Sequence, residues 1–330
     1  MPEVQVLDKA QALEKVTKID PTRAITMEMK KSTIDSEGNS LILSYNKKDY
    51  SVSASGTESM LKMLRQPTDI AKNVEEHPKL VANYVKYFLD RKDIAAKVLF
   101  NKNRVVGFTS PDALVIPNSD VIETITKVLP EAQFDHIYNP KDGITEIHCF
   151  NGNGQRETVA PGDYFKTGVK VTNSPTGIIR PIVSAYALRL VCTNGAVAMS
   201  DIWRAQASSE PEWLQGAVKG ALSVAKKEFL DRIRALKDVA IDKEHIEELL
   251  GSIFEDLRIP TSLRETISRR IMGKGADNFY DLFNHFTYIG SHYEIARSTP
   301  RFITRLMQAG GALTHHRSVC GQCHRTKAER

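Results

Sequence analysis

The residues best suited to metal chemistry cluster near the C-terminal end of the sequence. Cys320 and Cys323 are separated by two residues, and His315, His316 and His324 lie close to them. Two thiolates at this spacing form half of a tetrahedral zinc site, and neutral imidazoles can complete it. A solvated tail with two free thiols is the alternative, because no second Cys-x2-Cys pair is present. Zinc is therefore the one cofactor that the sequence suggests.

The same end of the chain is rich in positive charge. Its basic residues, set against the single acid Glu329, are Arg297, Arg301, Arg305, Arg317, Arg325, Lys327 and Arg330. Basic terminal segments commonly contact the phosphates of nucleic acids, and they are also commonly simple solvated tails. Phe302 is the only aromatic residue after Tyr293, so base stacking is not encoded here. A nucleic-acid partner would be held through phosphate contacts with little base readout.

A second group of polar residues surrounds a strongly apolar stretch. Residues 182–192 are apolar except for Ser184 and Arg189, and Asn194-Gly195 follows them. A stretch that is apolar on both faces predicts a buried strand, and Asn-Gly is typical of a hairpin turn. Residues 196–199 should then return beside it. Because an unpaired buried charge is very costly, Arg189 needs an anionic partner from the fold or from a ligand.

These polar residues allow two interpretations. They can cap turns and satisfy backbone groups, as Asn and Ser often do. Alternatively, they can line a ligand pocket together with residues of a late helix. The candidate pocket residues are Asn173, Ser174, Arg189, Asn194, Asn284 and His292. Cys192 lies among them and could act as a nucleophile, but a cysteine at the end of a buried strand is more often a small hydrophobe.

Apolar periodicity predicts the elements that position these groups. The predicted strands are residues 24–33, 41–45, 50–53, 96–100, 104–109, 134–138, 145–150 and 182–192. The predicted helices are residues 55–66, 78–91, 119–129, 209–237, 242–257, 261–272, 277–297 and 300–309. The first of these helices should begin at a capping box formed by Ser55 and Glu58. We expect residues 1–22 to be a charged lead-in that frays.

This order of elements predicts the α+β class, with an antiparallel-rich mixed sheet in the first two-thirds of the chain and a helical layer after it. We expect an α+β sheet domain over residues 1–202, a helical region packed on it over residues 203–311, and a basic Cys/His tail over residues 312–330. Residues 218–236 carry an apolar stripe that suits a core or a homo-oligomer interface equally well.

Composition points to a cytoplasmic protein. The chain has four cysteines, a formal net charge of +5 and no apolar run long enough to span a bilayer. Its first twenty residues carry acids and no apolar core, so they do not form a signal peptide. We therefore expect no membrane partner, whereas the positive charge permits a polyanionic one.

Two motifs and two longer segments resemble a known family. The chain reads GVKVTNSPTG from Gly168 to Gly177 and RLVCTNG from Arg189 to Gly195. Both resemble motifs of the phage/plasmid-like family catalogued as domain of unknown function 932. Residues 281–292 and 97–118 resemble a late helix and an earlier strand-turn segment of the same family. Pro175 stands where that family usually has Glu, which puts in doubt any role that needs a carboxylate there. The resemblance implies a bacteriophage or mobile-element origin and supplies no established activity.

Three functional hypotheses follow. The first is sequence-tolerant nucleic-acid binding, in particular DNA binding by an accessory of replication or recombination, through the basic terminal segment and the basic face of residues 219–237. The second is an enzyme or small-ligand protein with a polar pocket around the RLVCTNG strand. The third is a phage structural or host-interaction protein. The sequence contains no HExxH motif, paired acids or nucleotide loop, so it predicts no specific reaction.

Overall fold

Two six-stranded sheets organise the structure, a computed structural model that describes residues 6–91, 93–141, 143–153, 156–189, 197–206, 212–256, 259 and 261–292. Nearly all paired strands of these residues are antiparallel, and helices pack on the sheets and dominate after the last strand. The predicted α+β class with antiparallel-rich sheets is confirmed. The strands form two sheets because β1–β6 pair with one another and β7–β12 pair with one another.

The first sheet has the strand order β1-β5-β6-β4-β3-β2. Its strands are β1 (Arg23–Glu28), β2 (Ser32–Glu37), β3 (Ser40–Tyr45), β4 (Lys48–Val52), β5 (Ala95–Asn101) and β6 (Arg104–Thr109). The strand predicted over residues 24–33 is wrong, because a single 3-10 turn at Met29–Lys31 divides it. The first part is β1, which pairs with β5 at one edge of the sheet. The second part is β2, which pairs with β3 at the other edge.

Two helices cover the first sheet. They are α2 (Ala54–Met63) and α3 (Pro78–Leu89). The N-cap of α2 is Ser53, whose side chain accepts a hydrogen bond from the Gly56 amide, so the helix begins before the predicted capping box at Ser55. Between β4 and β6, which pair in parallel, α2 forms part of the crossover. The apolar cluster beneath these helices includes Met27, Leu41, Leu43, Met60, Leu61, Val85, Val98 and Phe100.

From residue 6 onwards the N-terminal lead-in is folded, which corrects the prediction that this part frays. Within it, α1 (Lys9–Thr17) starts at a capping box of Asp8 and Gln11 and buries Ala12 and Val16. The Asp20 carboxylate then accepts 2.8 Å hydrogen bonds from the amides of Asn118 and Ser119, at the start of α4 (Asn118–Val128). Ala12 and Val16 lie four residues apart, which is about one helical turn, and this spacing was the signal for α1 in the sequence.

The second sheet has the order β12-β11-β10-β8-β7, with β9 paired to β10. Its strands are β7 (Ala132–Lys141), β8 (Ile144–Asn151), β9 (Glu157–Ala160), β10 (Asp163–Asn173), β11 (Ile182–Arg189) and β12 (Val197–Gln206). The strand predicted from residue 182 is β11, which lies between β10 and β12 and buries Val183, Ala185, Tyr186 and Ala187. Its predicted turn at Asn194-Gly195 lies outside the described residues.

A helical layer covers one face of the second sheet. The predicted long helix is present as α5 (Trp213–Val224), a π-helical segment (Ala225–Phe229) and α6 (Leu230–Ala235). It is followed by α7 (Ile246–Asp256), α8 (Thr261–Lys274) and α9 (Phe279–His292). The apolar stripe of the long helix, including Val218, Ala225, Ile233 and Leu236, is buried in the core of the chain itself. No helix within the described ranges is long and apolar enough to cross a membrane.

Candidate ligand-binding cavity

A cavity of about 550 Å³ lies between the two sheets. The first sheet contributes β4, the β5–β6 turn and the start of α2, and the second contributes the β7–β8 turn and the loop after β10. Its floor consists of the buried residues Ser53, Ser55, Thr145, Pro175 and Thr176. Its rim consists of the exposed residues Lys18, Lys102, Asn103, Arg104 and Asn139. The lining is therefore neutral and polar inside and cationic at the mouth.

The charge of the lining has one sign. Lys18, Lys102 and Arg104 are cationic, and the described lining residues include no Asp or Glu. The Lys18 ammonium lies 3.0 Å from the carboxylate of Glu14, and both side chains are exposed. Within the described part of the chain, neither Lys102 nor Arg104 forms an ion pair, so their charges are available to an anion. A mouth of this kind attracts anionic ligands and raises their local concentration.

A chain of amide and hydroxyl groups connects the predicted site residue Asn173 to the cavity. Asn173 Nδ2 donates to the Ile116 carbonyl at 2.8 Å and to Asn118 Oδ1 at 2.9 Å. Asn118 Nδ2 then donates to Thr145 Oγ1 at 3.1 Å, and Thr145 donates to Asn139 Oδ1 at 3.0 Å. Asn173 is fully buried, so its direct role is to orient the groups of the cavity wall.

A second series of hydrogen bonds starts at the predicted site residue Ser174. Its hydroxyl accepts the Ile178 amide at 2.9 Å and lies 3.1 Å from Thr176 Oγ1. Thr176 donates to the Gly143 carbonyl at 3.1 Å, which ties the loop after β10 to the β7–β8 turn. Asn173 and Ser174 thus satisfy buried groups, as one interpretation of the sequence held, and the same bonds fix the floor of the cavity.

Close backbone contact locks this loop against the first sheet. A Cβ on Gly107 of β6 would lie 2.3 Å from the Thr176 carbonyl oxygen, a distance that no side chain tolerates. Gly177 adopts φ +80°, where an added Cβ would also meet Thr109 at 2.3 Å. The segment that carries the family resemblance therefore lies at the junction of the two sheets, with Pro175 in the cavity floor.

Asn173 and Asn284, which were predicted to line one candidate pocket, lie near opposite ends of β10. The ring of Phe283, which precedes Asn284 in α9, lies 6.4 Å from the ring of Phe165 near the start of β10. Eight residues of extended strand, roughly 26 Å, separate Phe165 from Asn173 at the end of β10. The buried His285 contacts the Gly275 carbonyl through Nε2 at 2.8 Å.

Other predicted site residues have only a backbone position or lie outside the described residues. Arg189 is the last residue of β11, where it pairs with Phe165, and His292 is the last residue of α9. Those outside the described residues are Cys192, Asn194, Arg297, Arg301, Arg305, Arg317 and Arg325, and with them the predicted zinc ligands His315, His316, Cys320, Cys323 and His324.

The basic face predicted on the long helix is partly used within the fold. Arg234 donates to Asp231 Oδ1 at 2.7 Å and to the Thr158 carbonyl of β9 at 3.1 Å. Lys237 donates to the Val159 carbonyl, and Arg232 lies 3.7 Å from Glu228. The remaining basic residues of that face, Lys219, Lys226 and Lys227, are exposed.

A buried charged cluster lies on the second sheet and was not predicted. Lys170 Nζ lies 2.8 Å from Glu146 Oε2, His148 Nε2 lies 3.5 Å from the same oxygen, and the Tyr138 hydroxyl donates to it. Burial alone would raise the pKa of Glu146, but the hydrogen bonds from His148, Lys170 and Tyr138 and the Lys170 charge lower it to about 2. The carboxylate is therefore ionised at neutral pH.

The cluster has the features of a structural ion pair more than those of a catalytic centre. Lys170 and Tyr138 converge on one oxygen of Glu146, His148 Nε2 lies 3.5 Å from it, and Lys170 and His148 are each less than a tenth exposed. Its signal in the sequence was the alternation of polar and apolar residues in β8, which predicts one solvated face, whereas both faces are buried. Burial also raises the pKa of the nearby Cys149 thiol, so this cysteine is not activated as a nucleophile.

Sequence reasoning also missed the cavity itself. Its cations come from the end of α1 and the β5–β6 turn, and its hydroxyl groups come from α2, β8 and the loop after β10. Comparison with protein-family models, with curated proteins and with solved structures gives no match.

Proposed function

We propose that this protein binds a small phosphorylated ligand in the cavity between its sheets. The observation that carries the proposal is the charge of the described lining, which has three cationic side chains and no carboxylate. Lys102 and Arg104 lie two residues apart in one hairpin, so a single phosphate can contact both. Charge-assisted hydrogen bonds from Lys and Arg to phosphate oxygens are among the strongest available to a protein.

The dimensions of the cavity support a ligand about as large as a mononucleotide. Pockets for small molecules and cofactors generally enclose about 300–1,000 Å³, and the cavity encloses about 550 Å³. Its floor offers hydroxyl and amide groups that can recognise the uncharged part of such a ligand, while its rim recognises the phosphate.

The proposal is tested by calorimetric titration with adenosine monophosphate at low salt. Replacing Lys102 and Arg104 together with alanine should weaken binding at least tenfold, since two charge-assisted hydrogen bonds are removed. A matched variant, in which Lys219 and Lys226 become alanine, removes the same number of exposed cations from the long helix. It should bind as the parent does. Equal weakening in both variants, or no saturable binding by the parent, would contradict the proposal.

Nucleic-acid binding is a second candidate function. The exposed Lys219, Lys226 and Lys227 support it, together with the basic residues from Arg297 onwards and the resemblance to a phage/plasmid-like family. Such binding would tolerate many sequences and weaken steeply with salt, as expected of a replication or recombination accessory. Titration of the Lys219/Lys226 variant with a fluorescent oligonucleotide distinguishes the two functions, because this variant should lose oligonucleotide affinity and keep its affinity for the mononucleotide.

A further inference from the structure

We infer that the ligand enters with its phosphate at the rim and a donor-bearing group, such as a sugar hydroxyl or a base amino group, against the floor. This inference rests on the proposed function and adds the orientation and chemical class of the ligand. It follows from where the hydrogen atoms of the cavity lining point. A hydroxyl group has one hydrogen to donate and two lone pairs that accept, so its bonds to fixed groups decide what it can offer a ligand.

The Ile116 carbonyl sets the donor-to-acceptor direction in the series of hydrogen bonds that starts at Asn173. A carbonyl only accepts, so the Asn173 atom beside it must be the amide nitrogen, which also donates to Asn118 Oδ1. Asn118 therefore presents its own nitrogen to Thr145, and Thr145 donates its only hydrogen to Asn139 Oδ1. Thr145 retains a lone pair for the cavity, and Asn139 retains its amide nitrogen as a donor at the rim.

The Gly143 carbonyl sets the donor-to-acceptor direction in the series of hydrogen bonds that starts at Ser174. Thr176 donates its hydrogen to that carbonyl, so the contact between Thr176 and Ser174 must use the Ser174 hydrogen. Ser174 can do this because its oxygen accepts the Ile178 amide. Thr176, like Thr145, is left with a lone pair and no hydrogen for a ligand.

Three further lining residues, Ser53, Ser55 and Asn101, also form hydrogen bonds to fixed groups. Ser55 donates to the Val106 carbonyl at 3.0 Å, and its hydroxyl oxygen lies 2.8 Å from that of Ser53. Asn101 Nδ2 donates to the carbonyls of Lys18 and Asp20 at 3.1 and 3.2 Å, which leaves Asn101 Oδ1 as its ligand-facing group. The buried Thr145 and Thr176 hydroxyls consequently offer acceptors inside the cavity, and the cations and the Asn139 amide lie at its mouth.

Phosphate oxygens and the Thr145 and Thr176 hydroxyl groups of the floor are all acceptors, so they cannot form hydrogen bonds with one another. A phosphate placed on the floor would therefore lose its hydration without replacement. The hydroxyls of a sugar or the amino group of a base would find partners there. The start of α2 favours the reverse orientation, because helix N-termini attract anions. Ser53 Oγ already accepts the Gly56 amide, however, which removes one of the donors that the helix end could offer.

The test compares phosphorylated ligands with and without the donor-bearing group. Ribose 5-phosphate should bind more tightly than its 2,3-dideoxy analogue if sugar hydroxyls contact the floor, and adenosine monophosphate more tightly than purine riboside 5′-monophosphate, which lacks the amino group, if a base amino group does. Each hydrogen bond to the floor should change the dissociation constant roughly fivefold. At least one of these differences is required. If neither appears while all four ligands bind, the orientation is wrong and the proposed function stands; if none binds, the proposed function itself fails.

Protein variants give an independent readout. Thr176→Val removes the lone pair on the floor and should weaken only the ligands with the preferred donor, while Thr176→Ser should restore them. The variant with alanine at Lys102 and Arg104 should weaken every phosphorylated ligand by the same factor, including inorganic phosphate. Melting temperatures identify any variant that fails to fold, and the comparison of ligands on the parent protein does not depend on them. A Thr176→Val variant that weakens inorganic phosphate as much as ribose 5-phosphate would place the phosphate on the floor and overturn the inference.

Discussion

Replacing Glu146 with glutamine should destabilise the second sheet by several kcal/mol. The folded state lowers the pKa of this carboxyl from 4.5 to about 2. A pKa difference of one corresponds to about 1.36 kcal/mol, so the ionised form contributes about 3 kcal/mol at neutral pH. Glutamine would also leave the buried Lys170 without its anion, and breaking one half of a buried pair costs about 3–5 kcal/mol in other proteins. The pKa difference and the cost of breaking the buried pair thus give similar losses in the free energy of unfolding.

Thermal unfolding followed by circular dichroism measures this effect. About 3 kcal/mol corresponds to a fall in melting temperature of roughly 6–12 °C in a cooperative unit of about 150–250 residues. Glu123→Gln is the matched control, because Glu123 and Lys9 also form a 2.9 Å ion pair but are 42% and 46% exposed. An exposed pair contributes at most about 1 kcal/mol, so this control should melt within about 3 °C of the parent.

The dependence on pH provides the refutation. Because the folded pKa of Glu146 lies below its unfolded value, its contribution is complete above pH 4.5 and is lost as the pH falls from 4.5 to about 2. The difference in stability between the parent and the Glu146→Gln variant should therefore shrink across that window. Equal melting temperatures for the Glu146 and Glu123 variants at pH 7, or a difference that is undiminished at pH 2, would show that the reasoning from burial is wrong.

Three further predictions concern other parts of the chain. Asp20→Asn should lower stability by about 1–2 kcal/mol in chemical denaturation, since one of two acceptors for the first amides of α4 is removed; an unchanged midpoint would show that the lead-in adds nothing. Protein purified without chelator should contain zinc, and replacing Cys320 and Cys323 with serine should remove it; unchanged metal content would leave the segment an ordinary tail. Truncation after Gly311 should flatten the salt dependence of oligonucleotide binding, with a log-log slope smaller by about 0.7–0.9 for each phosphate that is no longer neutralised, as measured by fluorescence anisotropy; an unaltered slope would assign the phosphate binding to the long helix.

The sequence predicted the elements whose signal is local. Apolar residues on both faces identified β11, and spacings of three and four identified the long helix that covers it. The strand predicted over residues 24–33 failed because no local pattern distinguishes a continuous strand from two strands joined by the turn at Met29–Lys31. The two parts belong to opposite edges of the sheet, and only pairing with β5 and β3 separates them.

The candidate site could be predicted only in part for the same reason. Asn173 and Ser174 were identified from their position beside a buried strand, and both prove to organise the cavity wall. The cations that give the cavity its charge were not identified from the sequence, because Lys18 and Arg104 come from separate elements that tertiary folding brings together. Glu146 was missed because an alternating strand does not reveal whether its polar face meets water or a buried partner.

The direction of the hydrogen-bond chain from Asn173 makes the chemistry of the rim depend on a residue that never touches a ligand. An aspartate at position 173 has no amide hydrogen and would set a fully buried carboxylate against the Ile116 carbonyl, which only accepts. Position 173 therefore requires an amide donor, and that donor orients Asn118, which in turn donates to Thr145. A residue outside the lining thus sets which atoms the lining presents. A comparison of the lining residues alone would miss this determinant of ligand preference.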